Sequence, residues 1–598
     1  TKTLEYMAAE RPIVSTLITD VVDLYGEVVA LAANAPAFIR ACELALMEPV
    51  ASQAQKYEKM RIMVAATSWQ STADKMHALL QSSLQQSASA QSAPDEWFIP
   101  QQVSKLNIHA PIKDIACIII GAGPTGLSAA YHLDENTLLL EKNASVGGWC
   151  RSVEDHGFTF DYAGHIMFSN DAYVHDLYDI LLGDNVHWQD REAWVFSKGV
   201  HTRYPFQGAL YGLPPKVITE CILGAIEASN GSSGANSKNP HKTENCVAKV
   251  SDCCADGSLT IPSSKGVLLE KPANRENTPQ NFEEFIYKVW GRGIAQHFAI
   301  PYNQKLWTVP LTEMETSWLG GRVPLPDLEQ IIEGALEPVA KPMGPNARFG
   351  YPLRGGFQAM MSGFLPHIKG SIQTSANVVS LSPTQRMVTL ADGQRYRYDQ
   401  LISTMPLPEL IRLIGADAPE AQRKAAQNLR HLSVRCVNLG IGRENITEKH
   451  WIYYPEDTIF HRIFVQGNAS PHCNPPGGFG LTCEISYSPF KPLPLDGQAL
   501  IDRCMADCIR VGLLRHDDRL ITANQVDMPY AYVIYDHARA SNVALLRSWL
   551  LEHDIVLAGR YSEWEYYNSD HAFLAGKKAA DSVLAMRENT AAASLNLS

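Results

Sequence analysis

Short apolar runs alternate along the chain with stretches of helical periodicity. Ile115-Ala-Cys-Ile-Ile-Ile120 is apolar on both faces, which predicts a buried parallel strand. Gly121-Ala-Gly-Pro-Thr-Gly126 follows at once, residues 127–133 continue as a helix, and Thr137-Leu-Leu-Leu-Glu141 gives a second strand. Together they read as a βαβ unit. Far downstream, Asp554-Ile-Val-Leu-Ala-Gly559-Arg560 is a strand ending in glycine, and Asn568-Ser-Asp-His571 opens a helix. Upstream, residues 3–15 read as a helix and short strand, 20–32 as a turn and strand, 37–47 as a helix, and 57–84 as one or two more. This alternation is expected to be the tail of a doubly wound α/β domain. Residues 85–96 form a Ser/Ala/Gln linker, and about 228–279 a polar surface insertion expected to be partly disordered.

A chain of 598 residues exceeds one hydrophobic core and predicts roughly three to four domains. The net charge of -12 and the pI of 5.9 give no general electrostatic reason to bind nucleic acid or anionic lipid. An anionic ligand must therefore be met by local positive groups. The 12 cysteines show no repeated CxxC pairs at zinc spacing, so no metal site is expected and the thiols read as reduced. The chain shows no secretory signal and no long apolar run, so a cytoplasmic location is expected by default.

Each glycine of the βαβ turn has a physical reason. Gly121 makes the tight turn, Gly123 lets a pyrophosphate approach the backbone, and Gly126 lets helix pack on strand. The helix N-terminus then faces the diphosphate. Glu141, roughly 20 residues on, suits a ribose hydroxyl. A bare GxGxxG is weak evidence, but this one sits between strand and helix with its acid in place.

Lys142-Asn-Ala-Ser-Val-Gly147-Gly148-Trp-Cys-Arg151-Ser152 follows the second strand directly. This run resembles the amine oxidase, protoporphyrinogen oxidase and UDP-galactopyranose mutase superfamily. The resemblance implies FAD, held by Gly121, Gly123, Gly126, Glu141, Lys142, Gly148 and Arg151. It adds Gly164, His165, Val379, Met405, Gly559, Arg560, Asn568 and Asp570 as further cofactor contacts, although Asp570 could equally cap the final helix. The implied fold is α/β: a Rossmann-like FAD-binding domain of the glutathione-reductase type with inserted helical and antiparallel-sheet substrate domains.

The second domain narrows the likeness. Asp161-Tyr-Ala-Gly164-His165-Ile-Met-Phe168-Ser169 resembles the histidine loop of UDP-galactopyranose mutases, especially the eukaryotic-type branch. Tyr204-Pro-Phe206-Gln207 and Pro301-Tyr302-Asn303-Gln-Lys-Leu-Trp307 resemble uracil-contacting segments of that family. Arg322 and Arg354 fall where the family clamps the diphosphate, and Tyr532, Tyr566 and Asn568 fall near it. The chemistry suits these residue types. Arginines give bidentate charged bonds, phenols donate to phosphate oxygens, flat rings hold a base, and Asn303 and Gln207 match a uracil edge. Taken singly, Tyr-Pro-Phe reads as core, Arg322 as a surface cation and His165 as a structural histidine. Their order together favours a pocket.

The resemblance implies a mutase interconverting UDP-galactopyranose, or a related nucleotide sugar, and its furanose form. Reduced FAD N5 would be the nucleophile, with His165, Arg322 and Arg354 as catalytic residues. The reductant is open between NAD(P)H and another donor, since no separate NAD(P)H motif stands out. Oligomeric state is also open. The alternative is an FAD-dependent oxidase or desaturase of the amine oxidase or protoporphyrinogen oxidase type. Ahead of all this, the Leu4-Glu5-Tyr-Met-Ala-Ala-Glu10-Arg-Pro-Ile-Val-Ser15 segment resembles the C-terminal end of the donor half of retaining two-Rossmann-domain glycosyltransferases. There Glu5 would hold a donor ribose, while Glu10 stands where that family usually has glycine. Half a site cannot position two reactants, so a remnant without transferase activity is expected. The expected divisions are 1–84 for this fragment, 85–113 linker, 114–200 first part of the FAD domain, 201–350 helical substrate domain with the insertion at about 228–280, 351–550 sheet domain with returns to the FAD domain, 551–590 final FAD strand and helix, and 591–598 tail.

Overall fold

A computed structural model describes residues 2–16, 21, 25–65, 111–231, 279–320, 325, 327–339 and 347–595. The linker at 85–96, nearly all of the insertion, and Arg322 lie outside the described residues. The chain divides into two compact units, Thr1–Trp97 and Phe98–Ser598.

In the first unit the helix Lys2–Ala8 leads to the strand Val14–Thr16, which pairs parallel with Ala30–Ala32, Val14 opposite Ala30. Asn34 caps the helix Ala35–Met47 by accepting from Ala37 N at 3.0 Å, and Val50–Ala65 forms a further helix. Its core is small: Met7, Val28, Val29 and Met60 are buried together. Glu10 adopts φ 50, a left-handed conformation that favours glycine.

The second unit is built on two seven-stranded sheets. In the first, Ile112–Ile120 pairs parallel with Thr137–Leu140 on one side and with Arg395–Ser403 on the other; Ser371–Gln373 extends it beyond Thr137–Leu140. The other edge of Arg395–Ser403 is shared. Its start pairs antiparallel with Met387–Leu390, and its end pairs parallel with Ile555–Leu557. The returning strand therefore enters the same sheet as the opening βαβ unit, and the helix Ser569–Leu595 packs on the helix Pro124–His132. Ile118 and Ile119 are fully buried, as a sheet covered by helices requires.

The second sheet runs Leu520–Val533, His431–Ile441, Phe479–Tyr487, Arg462–Phe464, Trp451–Tyr453, Ala193–Ser197, Val200–Arg203. Its pairs are antiparallel except Trp451–Tyr453 with Ala193–Ser197. The segments 193–203 thus belong to this sheet, and 371–403 to the first. Helices Pro215–Gly231, Phe282–Ile294, Ile300–Trp307 and Leu328–Leu336 form a third layer. A π turn, Ala295–Ala299, joins the second of these to the third. Pro301 has no N–H for the carbonyl one turn back, and the wide turn falls immediately before it. Among the described residues no helix is long and apolar enough to cross a membrane, and no cluster of metal-ligating side chains occurs.

Candidate functional site

A cavity of about 580 Å³, a size suited to a bound organic ligand, opens between the strand ends of the first sheet and one face of the second. Its first wall comes from the βαβ unit. Gly121, at φ 98, donates to Leu140 O at 2.8 Å and turns the chain into the helix Pro124–His132. A Cβ on Gly126 would lie 1.9 Å from Gly121 O, so only glycine lets this helix seat on the turn. The helix N-terminus, with Gly123 and Pro124, opens into the cavity. Gly148 meets Gly123 back to back, and Arg151 donates from Nε to Gly148 O at 2.9 Å while lying 4.9 Å over the Tyr162 ring. Glu141 is buried; it accepts from Ala122 N at 2.9 Å and from Asn143 N at 2.9 Å. Lys142, Met405, Gly559 and Asn568 also line this space.

Three expected cofactor contacts fall outside the lining. Val378 faces the cavity and Val379 does not, because neighbours on a strand point to opposite sides. Asp570 is buried in the first turn of the last helix, bonded to Ser169 Oγ at 3.4 Å and His571 Nδ1 at 2.8 Å. Gly126 supports the wall from behind rather than lining it.

The histidine loop supplies the next stretch. A Cβ on Gly164 would strike the Phe464 ring at 2.7 Å, so glycine lets the loop cross the second sheet. His165 donates from Nδ1 to Ala163 O at 3.2 Å and stacks on Phe357, centroids 5.3 Å apart. Burial pushes its pKa down to about 4, against the Ala163 carbonyl and with the positive charges of Arg560 and Arg462. The ring is therefore neutral, with Nδ1–H spent and Nε2 left as an acceptor. Asp161 anchors the loop, accepting from Ser152 Oγ at 2.6 Å, Phe357 N at 3.1 Å and Tyr351 OH at 2.7 Å. Burial raises Asp161 to about 6 against those bonds.

The opposite wall is made of side chains. Arg560 lies 4.8 Å from the Tyr532 ring and 4.7 Å from the Tyr566 ring. Its Nη1 donates to Tyr567 O at 3.2 Å, while Nε and Nη2 are buried with no partner among the described residues. Arg462 also lines the cavity and pairs with the buried Glu484, Nε to Oε1 at 3.1 Å. Behind them Tyr204 stacks on Tyr453 at 4.8 Å, Tyr302 meets Tyr453 edge-on at 5.5 Å, and Arg191 donates to Tyr453 OH at 3.1 Å. Burial raises the pKa values of Tyr204, Tyr302 and Tyr532, which keeps these phenols protonated.

The structure thus brings together His165, Tyr532, Tyr566 and Asn568 but sets other expected substrate residues back from the lining. Phe206 is fully buried on Phe298 at 4.9 Å, and Gln207 is buried beside it. Trp307 donates to Asn303 Oδ1 at 3.1 Å, and Asn303 donates to Ala299 O at 2.8 Å, so both amide groups are used within the helix. Tyr204 and Tyr302 form a second row behind the wall. Arg354 is exposed and lies outside the cavity lining; among the described residues its bonds run through its backbone, both ways, to Asn185 at 2.9 and 3.1 Å. The neighbouring Tyr351 and Phe357 face inward to Asp161 instead. Arg462, on the wall opposite the βαβ unit with Arg560, and its partner Glu484 were missed by sequence reasoning. Their only signal was a charge inside otherwise apolar strands, Ile463-Phe464 and Leu481-Thr-Cys483.

Comparison with known proteins bears on this geometry. Residues 119–181 match the NAD(P)-binding Rossmann-like domain and residues 317–584 the flavin containing amine oxidoreductase family. The chain is similar to a reduced UDP-galactopyranose mutase at 29% identity over 79% of this chain and 94% of that one, with a TM-score of 0.68. It shares its fold with a putrescine oxidase bound to putrescine (16% identity, 79% of this chain and 100% of that one, TM-score 0.54). It also shares it with a fatty acid isomerase from P. acnes (13%, 78% and 98%, TM-score 0.51). The fold is that of the amine oxidase-family flavoproteins, and the cofactor is FAD. The glycine turn, the open helix N-terminus and Glu141 fit that cofactor.

Proposed function

We propose that this chain is a flavin-dependent nucleotide-sugar mutase, interconverting UDP-galactopyranose, or a related nucleoside-diphosphate sugar, and its furanose form. The observation that carries this reading is Arg560, a cation on the cavity wall whose Nε and Nη2 are buried and have no partner among the described residues. A guanidinium cannot shed its charge, and a desolvated cation with no acid beside it calls for an anionic ligand. The likeness to a reduced UDP-galactopyranose mutase supports the reading. Bound in its reduced form, FAD supplies the nucleophile, N5, for the anomeric carbon. Arg560 and Arg462 would neutralise the departing diphosphate from fixed positions. Tyr532 and Tyr566 would donate phenolic hydrogen bonds to the same oxygens. His165 would hold a proton-bearing group at Nε2, and the Tyr204–Tyr453 pair would back the base.

The test is to reduce the flavin anaerobically, add UDP-galactopyranose and score the product ring size. Furanose is the expected product. Substrate-driven oxygen consumption without isomerisation would establish instead an oxidase of the amine oxidase type. For the first unit we propose a glycosyltransferase-like fold, supported by Glu10 at a left-handed turn where that family usually has glycine.

A further inference from the structure

The helix Ile300–Trp307 carries one cation that the site chemistry leaves unused. Lys305 sends its Nζ into a ring of four oxygens. These are the carbonyls of Tyr454, Glu456 and Phe460 at 2.9, 2.8 and 2.8 Å and the Thr458 hydroxyl at 2.9 Å. An ammonium has three N–H donors, so all of them are spent inside the protein, and charge-assisted bonds are the stronger kind. All four oxygens belong to one short connection, between the strands Trp451–Tyr453 and Arg462–Phe464. Those strands pair antiparallel with Tyr453 opposite Arg462. The connection therefore joins the ring that stacks on Tyr204 to the guanidinium on the cavity wall. The helix that carries Lys305 also carries Tyr302, whose ring edge meets Tyr453.

We infer that Lys305 is a positioning residue: it clamps the 454–460 connection to the helix Ile300–Trp307 and so sets Tyr453 and Arg462 toward the substrate. The consequence for substrate rests on the nucleotide-sugar reading; the clamp itself does not. Stability alone does not account for this lysine. Burial pushes its pKa down to about 7, helped by Lys491 and Arg510 and opposed by Asp457 and Asp507. An apolar side chain of similar length would fill the same space without desolvating a charge. It would not satisfy three converging carbonyls, which would then turn to water only if the connection opened.

The experiment uses the full FAD-loaded chain with Lys305→Met, which keeps the length and removes the donors, and Lys305→Arg, which keeps charge and donors. Hydrogen exchange of the segment 454–462 and the dissociation constant for UDP are both measured. In Lys305→Met the segment should exchange about tenfold faster with little change in melting temperature. UDP affinity should fall about tenfold with FAD content unchanged, and Lys305→Arg should restore part of both. Unchanged exchange at 454–462 overturns the clamp. Faster exchange with unchanged UDP affinity overturns the positioning role. If the unmodified protein does not bind UDP, the nucleotide-sugar reading fails, while the exchange measurement still decides the clamp.

Discussion

The two walls of the cavity are made in different ways. The dinucleotide wall comes from nearly continuous chain, 120–151, and meets its ligand chiefly with backbone: a glycine turn, a helix N-terminus and a second glycine turn against the first. The opposite wall is assembled from Arg462, Glu484, Tyr532, Arg560 and Tyr566, which lie on four separate stretches of chain and meet the ligand with side chains. A backbone wall binds whatever dinucleotide fits its turns and says little about substrate. Specificity belongs to the side-chain wall, where charge and hydrogen-bonding capacity are placed one residue at a time.

The sharpest test of that division lies within the second wall, between a paired and an unpaired arginine. Arg462→Ala would strand Glu484, whose side chain is 1% exposed. Removing one partner of a buried pair costs about 3–5 kcal/mol, so denaturant melts should show a large loss of stability alongside loss of turnover. Among the described residues no acid pairs with Arg560, so none would be stranded. Arg560→Met should lower kcat/KM about 100- to 1000-fold, the scale for one lost charge-stabilising group, while stability stays level or rises. A destabilised Arg560→Met protein with normal turnover would move Arg560 out of the site and into the core.

This contrast also explains what the sequence alone could show. The first wall was readable because its glycines, helix start and Glu141 adjoin one another and each has a local reason. The amide and aromatic residues around Tyr204 and Tyr302 were located as a group, but which rings face the cavity depends on packing between the helical layer and the second sheet. Arg462 was invisible because its register opposite Tyr453 and its pairing with Glu484 exist only once three strands align. Arg354 shows the opposite case. Its setting, Tyr351-Pro-Leu-Arg354-Gly355-Gly356, resembles a ligand turn, yet the turn serves to aim Tyr351 OH and Phe357 N at Asp161.

On the backbone wall the failure should be steric. Gly126→Ala would press a Cβ against Gly121 O, and such overpacking costs about 1–3 kcal/mol. The visible result should be reduced flavin content on purification, with the second sheet intact by circular dichroism. Full flavin occupancy would show that the turn yields more easily than its geometry implies.

His165 sits between the walls and gives a pH signature. Its folded pKa, about 4, lies below the ordinary histidine value, so the folded state resists the proton. Its contribution to stability is present above about pH 6.5 and is lost as the pH falls through 4. His165→Ala should keep its FAD, lose activity, and show a shallower fall in melting temperature between pH 6.5 and 4. A fall as steep as in the unmodified protein would assign the acid sensitivity to other groups.

The smallest expected effect belongs to Arg354→Ala. The side chain is exposed, and both polar contacts of the residue run through its backbone, which alanine retains. Surface changes of this kind usually stay within about 0.5 kcal/mol. Turnover, flavin content and melting temperature should therefore all match the unmodified protein. Arg354 lies only two residues before Gly356, whose φ of 62 packs against Ser152, so any effect of the variant must be separated from the turn itself. Arg354→Lys does this: it preserves charge and backbone together. If alanine abolishes turnover and lysine restores it, charge at position 354 reaches the diphosphate in the working enzyme, and the side-chain wall extends further around the cavity than its lining residues indicate.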